Sequence, residues 1–164
     1  MGKIIKLAVF LAVISGLSGL CLSFVNSQTA PIIEEQKLAA EKGYLEAMFP
    51  GASFTVNEVD GELVTTEYVA STGGKAYKIV GNGYGGKVSV ILGFKDDGKV
   101  AGYDTIDIST ETEGFGSKVG EDTFKKQVLA ASVDSGIDTI SGATITSTVV
   151  ADGFAEAAEL FSNE

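Results

Sequence analysis

The sequence predicts an α+β protein: one apolar N-terminal helix, then a single domain in which an antiparallel sheet is flanked by helices. Three observations carry this. Residues 4–25 contain no charge except Lys6, residues 54–108 break into short β-branched and aromatic segments, and the last third holds two segments of helical period. A chain of 164 residues suffices for one compact domain and an accessory segment.

The N-terminal run comes first. At about 1.5 Å per residue, an uncharged stretch over residues 7–25 nearly spans a hydrocarbon core of about 30 Å. A cleaved signal peptide would want a small-residue site, and Val25-Asn26-Ser27 is a poor one. Cys21 invites a lipoprotein reading, but Leu20 stands where that signal takes Gly or Ala. An uncleaved single-pass anchor is expected. Lys3 and Lys6 precede it, which places the N-terminus in the cytoplasm and the following domain on the extracytoplasmic side.

A helix is expected over 31–49, opened by Pro31 and ended by Pro50-Gly51, with apolar residues at three- and four-residue spacing through Leu45 and Met48. Candidate strands follow at 54–56, 63–69, 76–80, 87–94 and 100–108. Asp96-Asp97-Gly98-Lys99 reads as a hairpin turn in which Gly supplies a positive φ. Short loops of this kind imply antiparallel pairing. Residues 119–132 are expected to be helical, with Phe124, Val128 and Leu129 on one face. A clearer helix is expected over 147–161, where Val150, Phe154, Ala157, Ala158 and Phe161 recur at helical spacing. The expected segments are thus an anchor at 1–28, a linker helix at 29–52 and an extracytoplasmic domain at 53–164.

Composition excludes several chemistries. All 22 acidic residues lie after Pro31, and the formal net charge is −10. Nucleic-acid binding, which needs basic surface, is not expected. The chain has no His, and Cys21 is its one cysteine. That removes Ser–His–Asp and Cys–His catalysis, His-ligated metals and any iron–sulfur cluster built from this chain alone. No metal site and no catalytic residue are assigned. Any cofactor must be held by oxygen atoms, backbone groups or a covalent bond to a hydroxyl.

Two phosphate-binding patterns fail on context. Gly81-Asn82-Gly83-Tyr84-Gly85-Gly86 fits G-x-G-x-x-G, and residues 81–87 fit G-x-x-x-x-G-K. Both fingerprints need a helix next. The next residues, Lys87-Val88-Ser89-Val90-Ile91-Leu92, are strand-like instead, with Val88 where a P-loop carries Ser or Thr. A glycine turn between strands is the better reading. Glu111 and Glu113 are a carboxylate pair, but at i,i+2 in a loop they read as solvated.

The most informative stretch is Asp138-Thr139-Ile140-Ser141-Gly142-Ala143-Thr144, followed by Ile145-Thr146-Ser147. These are also the residues of any loop entering a helix, with Asp138 closing an Asx turn and Thr146 or Ser147 as N-cap. A helix N-terminus favours a phosphate, a neighbouring Gly allows close approach, and a hydroxyl there supplies the atom for an ester.

This stretch resembles the acceptor motif for covalent FMN, Asp-x-x-Ser/Thr-Gly-Ala-Thr. Other segments agree in order. Phe49-Pro50-Gly51-Ala52, Gly83-Tyr84-Gly85-Gly86 and Glu111-Thr112-Glu113-Gly114-Phe115-Gly116, with Lys118 nearby, are similar to motifs of the exported FMN-binding domain of the Rnf electron-transport complex G subunit. The C subunit of the sodium-translocating NADH:quinone reductase is related to it. The resemblance covers essentially the whole chain. Departures are Glu113 for the usual Pro, Phe115 for Leu, and Ser109 where many members carry His.

The resemblance implies one FMN-binding domain with FMN esterified to Thr144 by a separate flavin transferase that recognises the motif around Asp138. It implies a phosphate held by Thr146, Ser147 and nearby backbone N–H groups, a ring lined by the 111–116 loop through Glu111, Thr112, Gly114, Phe115 and Gly116, and further cofactor-binding residues at Tyr84, Lys118, Asp138, Ser141, Gly142 and Ala143. It implies electron relay in an ion-translocating ferredoxin:NAD oxidoreductase. The partners would be other integral membrane subunits, including a second covalent-FMN subunit and an iron–sulfur-bearing pair. A sodium-pump C subunit, or a free-standing extracytoplasmic FMN protein, is the alternative.

Overall fold

The structure is a computed structural model that describes residues 2–163, and at Glu34 the backbone alone. Met1 and Glu164, the ends of the first and last expected segments, lie outside the described residues. By its internal contacts the chain divides into residues Met1–Ala39 and Ala40–Glu164.

The described residues of the first unit lie within a continuous helix, α1 (Gly2–Met48). It contains a window of mean hydropathy 2.3, long and apolar enough to cross a membrane, with none of that window buried. Pro31 does not open a second helix; it sits inside α1. A proline removes one N–H donor, and the flanking turns carry the helix past it.

The second unit is a five-stranded antiparallel meander in the order β1 (Phe54–Glu58), β2 (Val64–Ala70), β3 (Lys75–Asn82), β4 (Lys87–Phe94) and β5 (Val100–Asp107). All five expected strands are present within a few residues of their expected ends. The β4–β5 hairpin turns at Gly98, whose φ of 77° is the left-handed value a glycine accepts without a Cβ clash. After β5 come a short 3₁₀ turn (Gly116–Gly120), α2 (Asp122–Leu129) and α3 (Thr144–Ser162). The expected helix over 119–132 is therefore shorter and begins with a 3₁₀ turn.

Helices cover both faces of the sheet. On one face α3 lies along β3 and β4 while α2 lies on β5. The core there contains Tyr77, Ile79, Val90, Leu92, Phe94, Val150 and Phe154, all at 1% exposure or less. Phe94 packs edge-on against Phe154 at 5.5 Å between ring centres, an arrangement that suits the ring quadrupoles. On the other face the last turns of α1 put Leu45 and Phe49 against Tyr68, Ala70, Ala76 and Ile91.

Several polar groups near these cores are paired, while the buried Ser89 hydroxyl on β4 has no hydrogen-bond partner among the described residues. Glu41 on α1 accepts from the Tyr68 hydroxyl and from Lys78 Nζ at 2.7 Å. Burial and the neighbouring Glu41 carboxylate push the Tyr68 phenol well above its usual range. Glu67 pairs with Lys75 at 3.1 Å and accepts from Asn57 and Tyr77. Burial alone would raise its pKa, but these bonds and the Lys75 charge outweigh burial and hold it below the ordinary value.

Candidate FMN site

The loop before α3 is shaped by its sequence. Ala143 N–H donates to Ile140 C=O at 2.9 Å, closing a turn with Ser141 and Gly142 at its centre. Gly142 has φ 83°, the value position i+2 of a type II turn requires. The turn delivers Ala143 as the N-cap of α3 and Thr144 as its first residue. The helix therefore starts three residues before the expected Ser147.

Thr146 and Ser147 are not N-caps. They lie in the first turns of α3 at 1% and 0% exposure. Ser147 Oγ accepts from Ile140 N–H and donates to Ala143 C=O, both at 2.9 Å, so it holds the preceding turn from inside the helix. Ala143 contributes no side-chain cap, and the helix ladder begins with Ser147 N–H on Ala143 C=O. The N–H groups of Thr144, Ile145 and Thr146 are thus outside that ladder at the positive end of a 19-residue helix.

Two other segments reach the same place. The β3–β4 hairpin turns through residues 83–86, with Gly83 N–H donating to Gly86 C=O at 2.8 Å. Strands flank this turn on both sides, in keeping with the rejection of the Rossmann and P-loop patterns. After β5, residues 111–116 pass beneath it. Gly114 takes φ 76°, and Phe115 is 57% exposed.

The joint is a buried carboxylate. Glu111 is not solvated, as its loop position suggests; it is 9% exposed. Glu111 Oε1 accepts from Gly85 N–H at 3.0 Å, and Oε2 accepts from Thr146 Oγ1 at 2.7 Å. Thr146 Oγ1 accepts in turn from Tyr84 N–H at 3.3 Å. Glu113, two residues on, is exposed. The sequence does carry a trace of this arrangement in Gly83 and Gly116. A Cβ at the first would overlap Glu111 Oε1, and at the second Glu111 Oε2.

The three segments enclose a cleft of about 490 Å³ lined by Tyr84, Thr112, Phe115, Gly116 and the stretch 142–146. Its walls are mostly apolar, with exposed rings at Tyr84 and Phe115 and with Ile145, 55% exposed, on the helix. Eight of the fourteen expected site residues therefore line one cavity: Tyr84, Thr112, Phe115, Gly116, Gly142, Ala143, Thr144 and Thr146. Thr144, the expected attachment point, is exposed at the cleft. Among the rest, Ser141 and Asp138 are exposed in the approach to α3, Gly114 forms the outer turn, and Lys118 sits 5.9 Å from the Phe115 ring centre. Glu111 and Ser147 stand behind the wall and outside the lining set.

These residues fit an FMN. The apolar cleft with aromatic rims matches a flavin ring, and the uncapped N-terminus of α3 supplies unpaired donors for a phosphate beside the Thr144 hydroxyl. No group of three or more His, Cys, Asp or Glu arranged to hold a metal occurs among the described residues.

Comparison with known proteins agrees. Residues 83–159 match the model of the FMN-binding domain family. A Clostridium ljungdahlii protein, the G subunit of a proton-translocating ferredoxin:NAD(+) oxidoreductase complex, is 27% identical over 158 aligned positions, covering 87% of this chain and 83% of that protein. An Acetobacterium woodii protein, the G subunit of a Na(+)-translocating ferredoxin:NAD(+) oxidoreductase complex, is 28% identical over 195 positions, covering 98% of this chain and 92% of that protein. Over most of its length the chain is similar to the G subunits of two ferredoxin:NAD(+) oxidoreductase complexes, and its residues 83–159 match the FMN-binding domain family.

Proposed function

We propose that this chain is the membrane-anchored electron-carrying subunit of an ion-translocating ferredoxin:NAD oxidoreductase, with FMN esterified through its phosphate to Thr144 Oγ1. The observation that carries this reading is convergence. Tyr84, the residues Thr112, Phe115 and Gly116, and the stretch 142–146, far apart in sequence, line one cleft, with the exposed Thr144 at a helix N-terminus.

The bound flavin supplies the redox chemistry. The chain supplies position and surroundings. The first N–H groups of α3 face the phosphate and favour its charge. Tyr84, Phe115 and Ile145 give the ring an apolar bed that limits water. Gly116 and Gly142 let backbone approach it closely. The chain has no His, no carboxylate is among the described residues lining the cleft, and the Glu111 carboxylate is committed to Gly85 and Thr146, so the cleft offers Thr144 no base. A separate flavin transferase therefore makes the ester: Thr144 Oγ1 displaces AMP at the FMN phosphorus of FAD, and its proton leaves through the transferase.

A covalent tether suits a domain outside the cytoplasm, where free flavin is lost by dilution. Lys3 and Lys6 orient α1 with its N-terminus inside. Electrons enter and leave through integral membrane neighbours, including a second covalent-FMN subunit and an iron–sulfur-bearing pair. The two named relatives belong to complexes that move different ions at nearly the same identity, so this subunit does not declare the ion.

The test is direct. Expressed with a flavin transferase, the full-length chain should gain the mass of one FMN less one water and fluoresce on a denaturing gel. Thr144→Val should lose both while keeping its thermal unfolding midpoint. A label that survives Thr144→Val refutes the attachment site.

A further inference from the structure

We propose that Glu111 is the positioning residue of the flavin site: its buried carboxylate locks the 83–86 turn to the first turn of α3 and sets a fixed negative charge directly behind the cleft wall. This rests on the flavin reading above and goes beyond it, because Glu111 acts through its neighbours and lies outside the lining set.

The geometry has two parts. Mechanically, Glu111 and Thr146 form a clamp. One carboxylate oxygen takes Gly85 N–H and the other takes the Thr146 hydroxyl, which itself takes Tyr84 N–H. Two consecutive amides of the hairpin turn are thereby fixed to α3, and with them the backbone that carries the exposed Tyr84 ring. Gly83 and Gly116 have no side chains because the carboxylate fills the space a Cβ would need. Electrostatically, Glu111 Oε2 lies against Gly116, where a Cβ would come within 1.8 Å of it, and takes the Thr146 hydroxyl at 2.7 Å; Gly116 and Thr146 both line the cavity. Both partners donate to the carboxylate, which suits an acceptor-only ionised group. Reducing a flavin adds negative charge to it. A fixed anion one layer away opposes that, more strongly in a part-buried setting than in water. Glu111 should therefore hold the flavin potential down.

Two substitutions separate these roles. Glu111→Gln keeps the shape and can still accept from Gly85 N–H, but it removes the charge. Thr146→Val removes the hydroxyl link and keeps the charge. In full-length flavinylated protein, Glu111→Gln should raise the flavin midpoint potential, with Gly85 amide exchange close to wild type. Thr146→Val should speed Tyr84 amide exchange about tenfold or more while moving the potential less than Glu111→Gln does. If Glu111→Gln leaves the potential unchanged, or Thr146→Val shifts it equally, the charge assignment is overturned. If Tyr84 exchange is the same in Thr146→Val as in wild type, the clamp is overturned. Amide exchange can also be measured on unflavinylated chain. A wild-type protein that takes no flavin would sink the proposed function, and the exchange experiment would still decide the clamp.

Discussion

At the scale of single residues, Thr144 and Glu111 were unequally visible in the sequence. Thr144 stands in a motif whose spacing carries its meaning, so its place at a loop-to-helix junction was expected, although the helix itself was expected to start at Ser147. Glu111 sits in a loop with Glu113 two positions away, and local pattern gave no reason to bury one and expose the other. The distinction comes from non-local partners, Gly85 and Thr146, which only the folded chain brings near. Gly116 tests this packing. A Cβ there would overlap Glu111 Oε2 and meet Thr146 Oγ1 at 2.9 Å, so the clamp must open or the loop must move. Gly116→Ala should cost about 1–3 kcal/mol, as overpacking of a filled site does. The check is thermal unfolding of the variant beside Gly114→Ala: the Gly114 site has open space but φ 76°, so strain alone acts there. A larger flavin-loading defect for Gly116→Ala than for Gly114→Ala would locate the effect at the clamp.

At the scale of elements, strands were easier to read than helix ends. The β-branched and aromatic segments that become β2 and β3 and the glycine turn at Gly98 are local signals, and both survive in the fold. The start of α3 was misplaced because Thr146 and Ser147 are good capping residues by type. Their hydroxyls are instead buried and satisfied from outside the helix, one by Glu111 and one by Ile140 N–H. The helix could then begin at Thr144, which frees that hydroxyl for chemistry. Pro31 misled for a similar reason: a proline is a helix opener by preference, yet α1 continues through it. Ser147 is the element-scale test. Ser147→Ala removes the acceptor for Ile140 N–H and releases the 140–143 turn from α3. A loss of about 1–2 kcal/mol in stability is expected, from one hydrogen bond with a part-buried amide left unpaired. Amide exchange at Ile140, in the turn before α3, should accelerate more than exchange at Val150, inside α3.

At the scale of the whole molecule, the question is where the folded domain begins. Sequence pattern puts a linker helix before it and starts the domain at residue 53. The contacts of the second unit run from Ala40 onward, and the last turns of α1 have their own side chains in that unit's second core. Leu45 and Phe49 are 5% and 6% exposed. Met48 lies over Gly93 and Gly102, facing glycines on β4 and β5 whose missing side chains make room for it. Glu41 takes the Tyr68 hydroxyl and the Lys78 ammonium. Removing residues 1–39 takes away none of these groups. Removing residues 1–52 bares Ala70, Ala76 and Ile91, and strips Tyr68 and Lys78 of their buried carboxylate. At roughly 1.5–3 kcal/mol for each large apolar side chain withdrawn from a core, losing Leu45 and Phe49 alone is comparable to a large part of a domain's net stability. A fragment of residues 40–164 should therefore be soluble, unfold cooperatively and accept FMN at Thr144. A fragment of residues 53–164 should unfold well below it or aggregate. Equal unfolding midpoints for the two fragments would show that the helix end only leans on the sheet, and that the flavin domain stands without it.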